Sequence, residues 1–490
     1  MNSSKGTVVI IGSGVAGLAA SIRLAHLGFR VKVYEQQPTY GGKMGEWVSK
    51  GFRFDTGPSL FTMPQYVDEL LTIDEKKNVN FSYKKLDIVC NYFWQDGTKL
   101  TAFSDIDKLA LEFENKLGEP KQNIFKALKK SKEKFNITNH VFLEKSLHRI
   151  STFLNFATLK SVFMLPKVNI LTKMHKQNRA LFKNTKTVQF FDRYATYNGS
   201  NPYKAPATLN VIPHYEFGFG AFAPELGIRS IADVLYKKAV GLGVDFKFDS
   251  AVTSVEKPST SYLINNAESA DILVCNMDVA AASVGPLANL LSAKKTKYEP
   301  SSSALIFYWG LNKSFTELDT HNIFFTEDYK KEFDCIFIDK AIAKDPTIYI
   351  NITSKTNKAD APADCENWFV MVNAPYVAHQ NWDEMIEQAK SNILAKLSKL
   401  LHCDIANYIE VEHKLTPILI RDKTSSYKGA LYGSSSNKLM SAFLRQPNFS
   451  RKHKGLYFCG GSVHPGGGIP LSLLSAKIMT DKISNDYNIY

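Results

Sequence analysis

Gly12, Gly14 and Gly17 are the first residues of the chain whose spacing suits chemistry, in the run Gly12-Ser13-Gly14-Val15-Ala16-Gly17. Gly12 permits a tight turn, Gly14 lets bare backbone approach a pyrophosphate, and Gly17 lets a helix pack closely on a strand. A helix opening at Val15 turns free N–H groups and the positive end of its dipole toward the phosphates. Glu35 follows about 20 residues beyond the glycines, where a carboxylate accepts hydrogen bonds from ribose hydroxyls and repels a 2′-phosphate. A glycine pattern of this kind is weak by itself. It carries weight here because it follows a strand and opens a helix.

A second glycine-rich loop stands at the other end of the chain. Tyr457-Phe458-Cys459-Gly460-Gly461-Ser462 leads to His464-Pro465-Gly466-Gly467-Gly468-Ile469-Pro470. Gly461, Ser462, Gly468, Ile469 and Pro470 are the expected contacts to a flat ligand. Pro470 suits a first helical turn, where its missing N–H costs nothing. The N-terminus of the following helix can stabilise negative charge on that ligand. Two such loops at opposite ends imply one ligand clamped across a fold built from both. His464 is a candidate for proton transfer, although a histidine beside a proline also fits a structural role.

The elements that must position these loops can be read around them. Thr7 to Gly12 is an apolar, β-branched run, as a buried parallel strand requires. Leu18, Ile22, Leu24 and Leu27 mark a helix ending at Gly28, and Val31 to Tyr34 is a second strand, so that one βαβ unit is complete. From Asp105 to about Phe191 the pattern is helical. A helix–strand pair spans Ile231 to Val255, and Ile272–Asn276 is a short strand. Strand-like segments at Ala304–Trp309, Ile348–Ile352, Trp368–Val372 and Tyr408–Lys414 imply a second sheet. Leu456–Cys459 is a last strand entering the second glycine loop.

The bulk properties bound the reading. A chain of 490 residues exceeds one ordinary core, and two or three domains are expected. There are 60 Lys and Arg against 47 Asp and Glu, a formal charge of +13, which suits nucleic acid, anionic lipid or an acidic substrate. No helix-turn-helix, zinc or RNA-binding motif accompanies the charge, so nucleic acid is not expected. Between Glu144 and Asp192 there is no acidic residue, whereas Lys145, Arg149, Lys160, Lys167, Lys173, Lys176, Arg179, Lys183 and Lys186 are interleaved with Ile150, Phe153, Phe156, Phe163 and Leu165. That composition suits a segment lying on an anionic membrane surface; a helical lid with a solvated basic face is the alternative. The first strand leaves no room for a signal peptide, and no run of about 18 apolar residues suggests a membrane span. The six cysteines lack metal-ligand or redox spacing. Buried reduced thiols, no metal and a cytoplasmic location, peripheral to the membrane, are expected.

Shorter motifs between the loops carry a resemblance. Pro38-Thr39-Tyr40-Gly41-Gly42-Lys43 resembles the GG-Arg/Lys extension of the two-dinucleotide-binding flavoproteins, which lies close to FAD, and Asp55-Thr56-Gly57-Pro58-Ser59 resembles their flavin-proximal loop. The run His464–Pro470 resembles the C-terminal signature of carotenoid desaturases of the bacterial phytoene desaturase type. Phe191-Asp192-Arg193-Tyr194-Ala195-Thr196-Tyr197-Asn198-Gly199 resembles their middle motif. Thr416-Pro417, Gly429–Gly433 and Leu444-Arg445-Gln446-Pro447 resemble their late motifs. Within that family the chain is most similar to hydroxycarotenoid 3,4-desaturases.

The resemblance implies non-covalent FAD, with Gly42, Lys43, Gly57, Pro58 and Ser59 joining Gly12, Gly14, Val15, Gly17 and Glu35 as contacts. It implies an α/β fold: a Rossmann-like FAD domain from 1–75, 218–282 and 440–490, and a mixed-sheet substrate domain from 76–105, 200–217 and 283–439. Residues 106–199 form a helical, membrane-facing insertion. The implied reaction removes two hydrogens from a carotenoid by hydride transfer to FAD, at the 3,4-bond of a 1-hydroxylated acyclic end, with oxygen or a quinone as final acceptor. Asp192 and Arg193 are expected to support the fold. One departure stands out. The family's Pro-x-Gly-Gly turn reads Pro224-Glu225-Leu226-Gly227-Ile228-Arg229 here, which makes Glu225 and Arg229 candidates for recognising a polar end group. A phytoene or lycopene-forming desaturase, a carotene isomerase or saturase, an amine oxidase and a non-enzymatic prenyl-binding protein are the alternatives.

Overall fold

The computed structural model describes residues 5–74, 79–139, 168–291, 299–438 and 445–489. Val8, Val9 and Ile10 are fully buried, as an apolar run without alternation demands of a central parallel strand. The strand Thr7–Ile11 lies in the middle of a five-stranded parallel sheet. The spatial order is Leu456–Phe458, Ile272–Cys275, Thr7–Ile11, Arg30–Tyr34, Asp245–Lys247. Ile11 pairs with Tyr34 on one side and Cys275 on the other, and Cys275 pairs with Phe458. This register delivers Gly12, Glu35, Asn276 and Cys459 to one carboxyl edge, where open parallel sheets bind ligands. The helix Val15–His26, rich in buried alanine, packs between the helices Arg229–Gly241 and Ile469–Asp486.

The second sheet has seven strands, in the order Ile409–Leu415, Ser303–Leu311, Glu366–Ala374, Ile348–Ile352, His321–Phe324, Ile88–Phe93, Lys99–Phe103. The first four in that order match segments read from the sequence, and the last three were not read. Strand alternation divides the sheet into two faces. Leu305, Phe307, Trp309, Trp368 and Val370 pack against the helix Trp382–Leu400, which the sequence reading also missed. The intervening residues Ile306, Tyr308, Phe369 and Met371 face a large cavity.

A helical layer covers that cavity. Its described parts are Ile106–Leu117, Lys121–Thr138, Met174–Leu181 and Thr185–Asp192, joined around Phe113, Phe190, Phe191 and Tyr194. The first of these opens on Asp105, whose side chain accepts from Lys108 N at 2.9 Å, and ends at Gly118 in the left-handed region. Residues 200–217, assigned from sequence to the sheet unit, add no strand. They form helical turns at Ala207–Val211 and Tyr215–Phe219, the former packed on Lys121–Thr138.

Lys145, Arg149, Lys160 and Lys167, with the apolar residues between them, lie outside the described residues. Lys173, Lys176, Arg179 and Lys183 are exposed, beside Leu171 at 90% exposure. No helix among the described residues is long and apolar enough to cross a membrane. All six cysteines are free. The expectation of buried thiols holds for Cys90, Cys275 and Cys459 only, since Cys335, Cys365 and Cys403 are half-buried.

Candidate active site

A cavity of about 740 Å³ runs from the carboxyl edge of the parallel sheet to the face of the mixed sheet. Gly12, Gly14, Val15 and Glu35 line one end, and Gly42, Lys43, Gly57, Pro58, Ser59, Gly461, Ser462, Gly468, Ile469, Pro470 and His464 line the middle. Gly17 does not border the cavity. A Cβ there would lie 2.2 Å from the Gly12 carbonyl oxygen, which is the close-packing role read from its spacing.

Glu35 both builds and faces the site. Its Oε2 accepts from Ser13 N and Ser13 Oγ, each at 2.8 Å, and its Oε1 accepts from Gln37 N at 2.9 Å. A carboxylate has about four lone-pair sites, so one remains for a ligand hydroxyl. Neither the helix Val15–His26 nor the helix Ile469–Asp486 has a side-chain cap on its first N–H groups. Both offer those donors to the cavity.

The middle loops touch one another through bare backbone. A Cβ at Gly57 would lie 1.8 Å from the Lys43 carbonyl oxygen, so the two turns meet only because residue 57 is glycine. Lys43 Nζ donates to the Leu431 carbonyl at 2.9 Å. Burial brings its ammonium down to about 8, against the pull of Asp278. Asp278 accepts from Ala280 N and Ala281 N and borders the cavity; burial raises its carboxyl. Ser462 Oγ accepts from Val279 N at 3.1 Å, tying the last loop to the same helix start.

Arg445 joins motifs read separately in the sequence. Its Nη1 donates to the carbonyls of Tyr432 (2.7 Å) and Gly461 (3.0 Å), and its Nη2 to Asn198 Oδ1 (2.9 Å) and the Ser434 carbonyl (3.3 Å). One buried guanidinium therefore holds the middle motif, a late motif and the C-terminal loop around the cavity.

Two expectations are corrected. Glu225 and Arg229 do not line the cavity. Glu225 accepts from Ser82 Oγ near the surface. Arg229 is spent on the fold: its guanidinium donates to the carbonyls of Tyr40 and Met44 and pairs with Asp233. Asp55 takes the N–H groups of Ile228 and Arg229, each at 2.9 Å, so the turn serves as a helix start. Leu226 is 72% exposed. Arg193 moves the other way. Expected only to support the fold, it lines the cavity beside Tyr197 and Glu216. Asp192 keeps the structural role, accepting from Asn178 and lying 2.5 Å from His175 Nδ1.

No site role is read from the sequence for Asn276, Asp278, Tyr349, Glu216 or Tyr432, all on the cavity wall, although Asn276 closes an expected strand and Tyr432 lies in a late motif. Glu216 carries a signal of its own, as a single acid in the largely apolar and aromatic stretch Ile212–Phe219.

Comparison with known proteins shows the family and its cofactor. Residues 15–483 match the family model described as flavin containing amine oxidoreductase. The chain belongs to that family. A 1-hydroxycarotenoid 3,4-desaturase from Flavobacterium sp. (strain P99-3) is 46% identical over 97% of this chain and 99% of its own length. A 4,4'-diapolycopene oxygenase from Methylomonas sp is 31% identical over 99% of this chain and all of its own. Among solved structures, cyclohexylamine oxidase from Brevibacterium oxydans IH-35A matches with a TM-score of 0.63 at 13% identity, covering 99% of each chain. An oxidoreductase from Methanosarcina mazei matches at 0.60 and 16% identity, covering 98% of this chain and all of the other. Those two establish the fold.

The protein is an FAD-dependent oxidoreductase, and its residues fit that cofactor. The long cavity joins two uncapped helix starts to a spare carboxylate lone pair. A Cβ added at Gly468 would meet nothing within 4 Å and would project into open space, where bare backbone leaves room for a flat ring.

Proposed function

We propose that this protein desaturates a carotenoid, removing two hydrogens from the 3,4-bond of a 1-hydroxylated acyclic end. The observation that carries the reading is the 46% identity, over nearly all of both chains, to a 1-hydroxycarotenoid 3,4-desaturase. On this reading Gly12, Gly14, Val15 and Glu35 hold the dinucleotide part of FAD without a covalent bond. Gly42, Lys43, Gly57, Pro58, Ser59, Gly461, Ser462, Gly468, Ile469 and Pro470 surround its ring end. When bound, FAD supplies the two-electron oxidant that takes a hydride from an allylic carbon.

The chain's own residues orient the polyene and keep water away. Ile306, Ile323, Phe369 and Met371 form an apolar floor along which a rod-like hydrocarbon can lie. Positive charge left on carbon spreads over the conjugated chain, so no strong base is required, and His464 stays a candidate for the final proton. The cofactor unit comprises 1–75, 218–282 and 440–490, the substrate unit 76–105, 200–217 and 283–439, and the described residues between 106 and 199 the helical cover.

The test is to incubate the FAD-loaded protein on liposomes with a carotenoid panel and weigh the products. Loss of two hydrogens per bond oxidised supports desaturation, and an unchanged mass indicates an isomerase. A second reading rests on the oxygenases among the relatives, such as the diapolycopene enzyme; a product heavier by oxygen supports it instead. Oxygen or a quinone takes the electrons, and anaerobic turnover with and without added quinone separates them.

The protein reaches its substrate from an anionic membrane surface, on the cytoplasmic side. Exposed Leu171 flanked by exposed Lys173, Lys176, Arg179 and Lys183 supports this. Exposed charges are screened by salt. Liposome sedimentation is therefore expected to weaken at high salt and after Lys173, Lys176 and Arg179 are replaced by Glu. Unchanged binding would turn the segment into an internal lid.

A further inference from the structure

One stretch of the cavity wall differs in character from the rest. The floor is largely apolar, yet where the turn Arg193–Asn198 meets Glu216 the wall carries an ion pair and phenols. Arg193 is 5% exposed and Glu216 2%, and both border the cavity with Tyr197. Arg193 Nη2 donates to Glu216 Oε2 at 3.3 Å and Nη1 to the Tyr197 hydroxyl at 3.0 Å. Tyr194 donates to Glu216 Oε2 at 2.7 Å, and Tyr197 donates to Oε1. The guanidinium is ringed by Tyr92, Phe190, Tyr194 and Tyr197, with centroids 4.4–5.7 Å away. Burial pushes the Tyr194 and Tyr197 phenols up, so both remain O–H donors.

A cluster of this kind is expensive to bury, since desolvation costs several kcal/mol per ion. It is also incompletely satisfied: the Nε–H of Arg193 has no hydrogen-bond partner among the described residues. Bracing one turn of helix could be done with apolar side chains. Polar groups set in an apolar cavity instead fix the orientation of a ligand. Capacity for one more polar group remains, because three donors reach a carboxylate with about four lone-pair sites.

Tyr349, on the sheet floor, donates to Ser59 Oγ at 2.8 Å. Arg193, Tyr197, Glu216 and Tyr349 all line one cavity, and Tyr349 ties that wall to the flavin-proximal loop. In a 1-hydroxylated chain desaturated at its 3,4-bond, only one carbon separates the hydroxyl-bearing carbon from the reacting bond. The receptor for that hydroxyl must therefore stand a few bond lengths from the ring end of the cofactor.

We propose that Tyr197, braced by Arg193 and Glu216, receives the hydroxyl group of the substrate and sets the preference for a hydroxylated end. The inference rests on the carotenoid reading above. The alcohol donates to Glu216 or to the Tyr197 oxygen and accepts from a guanidinium N–H. A site built to bond a hydroxyl rejects the analogue lacking it, because its own polar groups are left unpaired.

The test compares two carotenoids of the same chain, with and without the 1-hydroxyl, on FAD-loaded wild type, Tyr197→Phe and Glu216→Gln. Wild type is expected to favour the hydroxylated substrate by about 100-fold or more in kcat/KM. Each variant is expected to cut that ratio by about tenfold, chiefly through KM. A brace for the fold would lower both substrates by one factor and leave the ratio in place, which overturns the proposal. So does a wild-type ratio near one, with desaturation itself intact. Failure of wild type to desaturate either compound would instead defeat the carotenoid reading. Tyr197→Phe keeps the ring and decides the matter if Glu216→Gln does not fold.

Discussion

The two ends of the cavity are built in different ways. At the end proposed to hold the cofactor the wall is mostly backbone, of glycines and uncapped helix starts, with the Glu35 carboxylate directly after the strand Arg30–Tyr34. At the end proposed to hold the substrate the wall offers side chains, Arg193 and Tyr197 on one turn and Glu216 and Tyr349 on two other segments. A backbone site tolerates no added atom but needs few particular side chains. A side-chain site tolerates changes in any one segment but loses a specific partner with each.

The contrast is sharpest at Gly57. Substituting Val there places a Cβ 1.8 Å from the Lys43 carbonyl oxygen, and the two loops must part. The expected outcome is purified protein with at least about tenfold less flavin, a weakening of about 1.4 kcal/mol or more. Gly14→Val is expected to follow it, because its Cβ would lie 2.9 Å from Asn276 Oδ1. Full flavin absorbance in both variants would break the backbone account of the cofactor end.

Arg445 probes the seam between the ends. Arg445→Met leaves the Tyr432, Gly461 and Ser434 carbonyls and Asn198 without this donor. Buried groups stripped of a charged partner cost about 1–3 kcal/mol. The apparent melting temperature is expected to fall by about 1–3 °C, with flavin affinity and substrate KM both worsened. A variant affected in one of the two alone would show that the ends are independent.

Lys134 gives a smaller, pH-dependent effect on the helical side. Its Nζ donates to Gln177 Oε1 at 2.7 Å and to the Ala207 carbonyl, and burial, helped by Lys130, lowers it from 10.5 to about 7. Above pH 7 the unfolded chain still holds a proton that the folded one has released. Stability therefore rises with pH from about 7 toward 10.5. Melting curves at pH 7 and pH 9 are expected to show this rise, by a few degrees, and Lys134→Met to flatten it. An equal rise in the variant would place the titration elsewhere.

The smallest effect is expected at Leu226, which the sequence comparison had marked as the telling departure. Because it is 72% exposed and off the cavity wall, Leu226→Gly is expected to leave stability within about 0.5 kcal/mol and the substrate ratio unmoved. A changed substrate preference would return the turn to the site and weaken the contrast between the ends.

From the sequence by itself came the βαβ unit, both glycine-rich loops, Glu35, four strands of the second sheet and the FAD family. These features are local. A strand, a turn and a helix start are encoded in adjacent residues, and a backbone site needs only those in order. Gly12, Gly14, Gly57 and Gly468 could be picked out because a missing side chain at a turn is visible in a linear text. The strands His321–Phe324, Ile88–Phe93 and Lys99–Phe103 escaped because short strands with polar members owe their state to their neighbours in the sheet. Tertiary structure alone decided that Arg193 faces the cavity while Arg229 does not. Both are arginines inside conspicuous motifs, and their difference lies in what surrounds them. Arg229 meets Tyr40, Met44 and Asp233 and is satisfied within the fold. Arg193 meets Glu216 and Tyr197 across a turn on the cavity wall. Whether a side chain is used up by the fold or left for a ligand depends on contacts made by residues distant in the chain, and those exist only once it has folded.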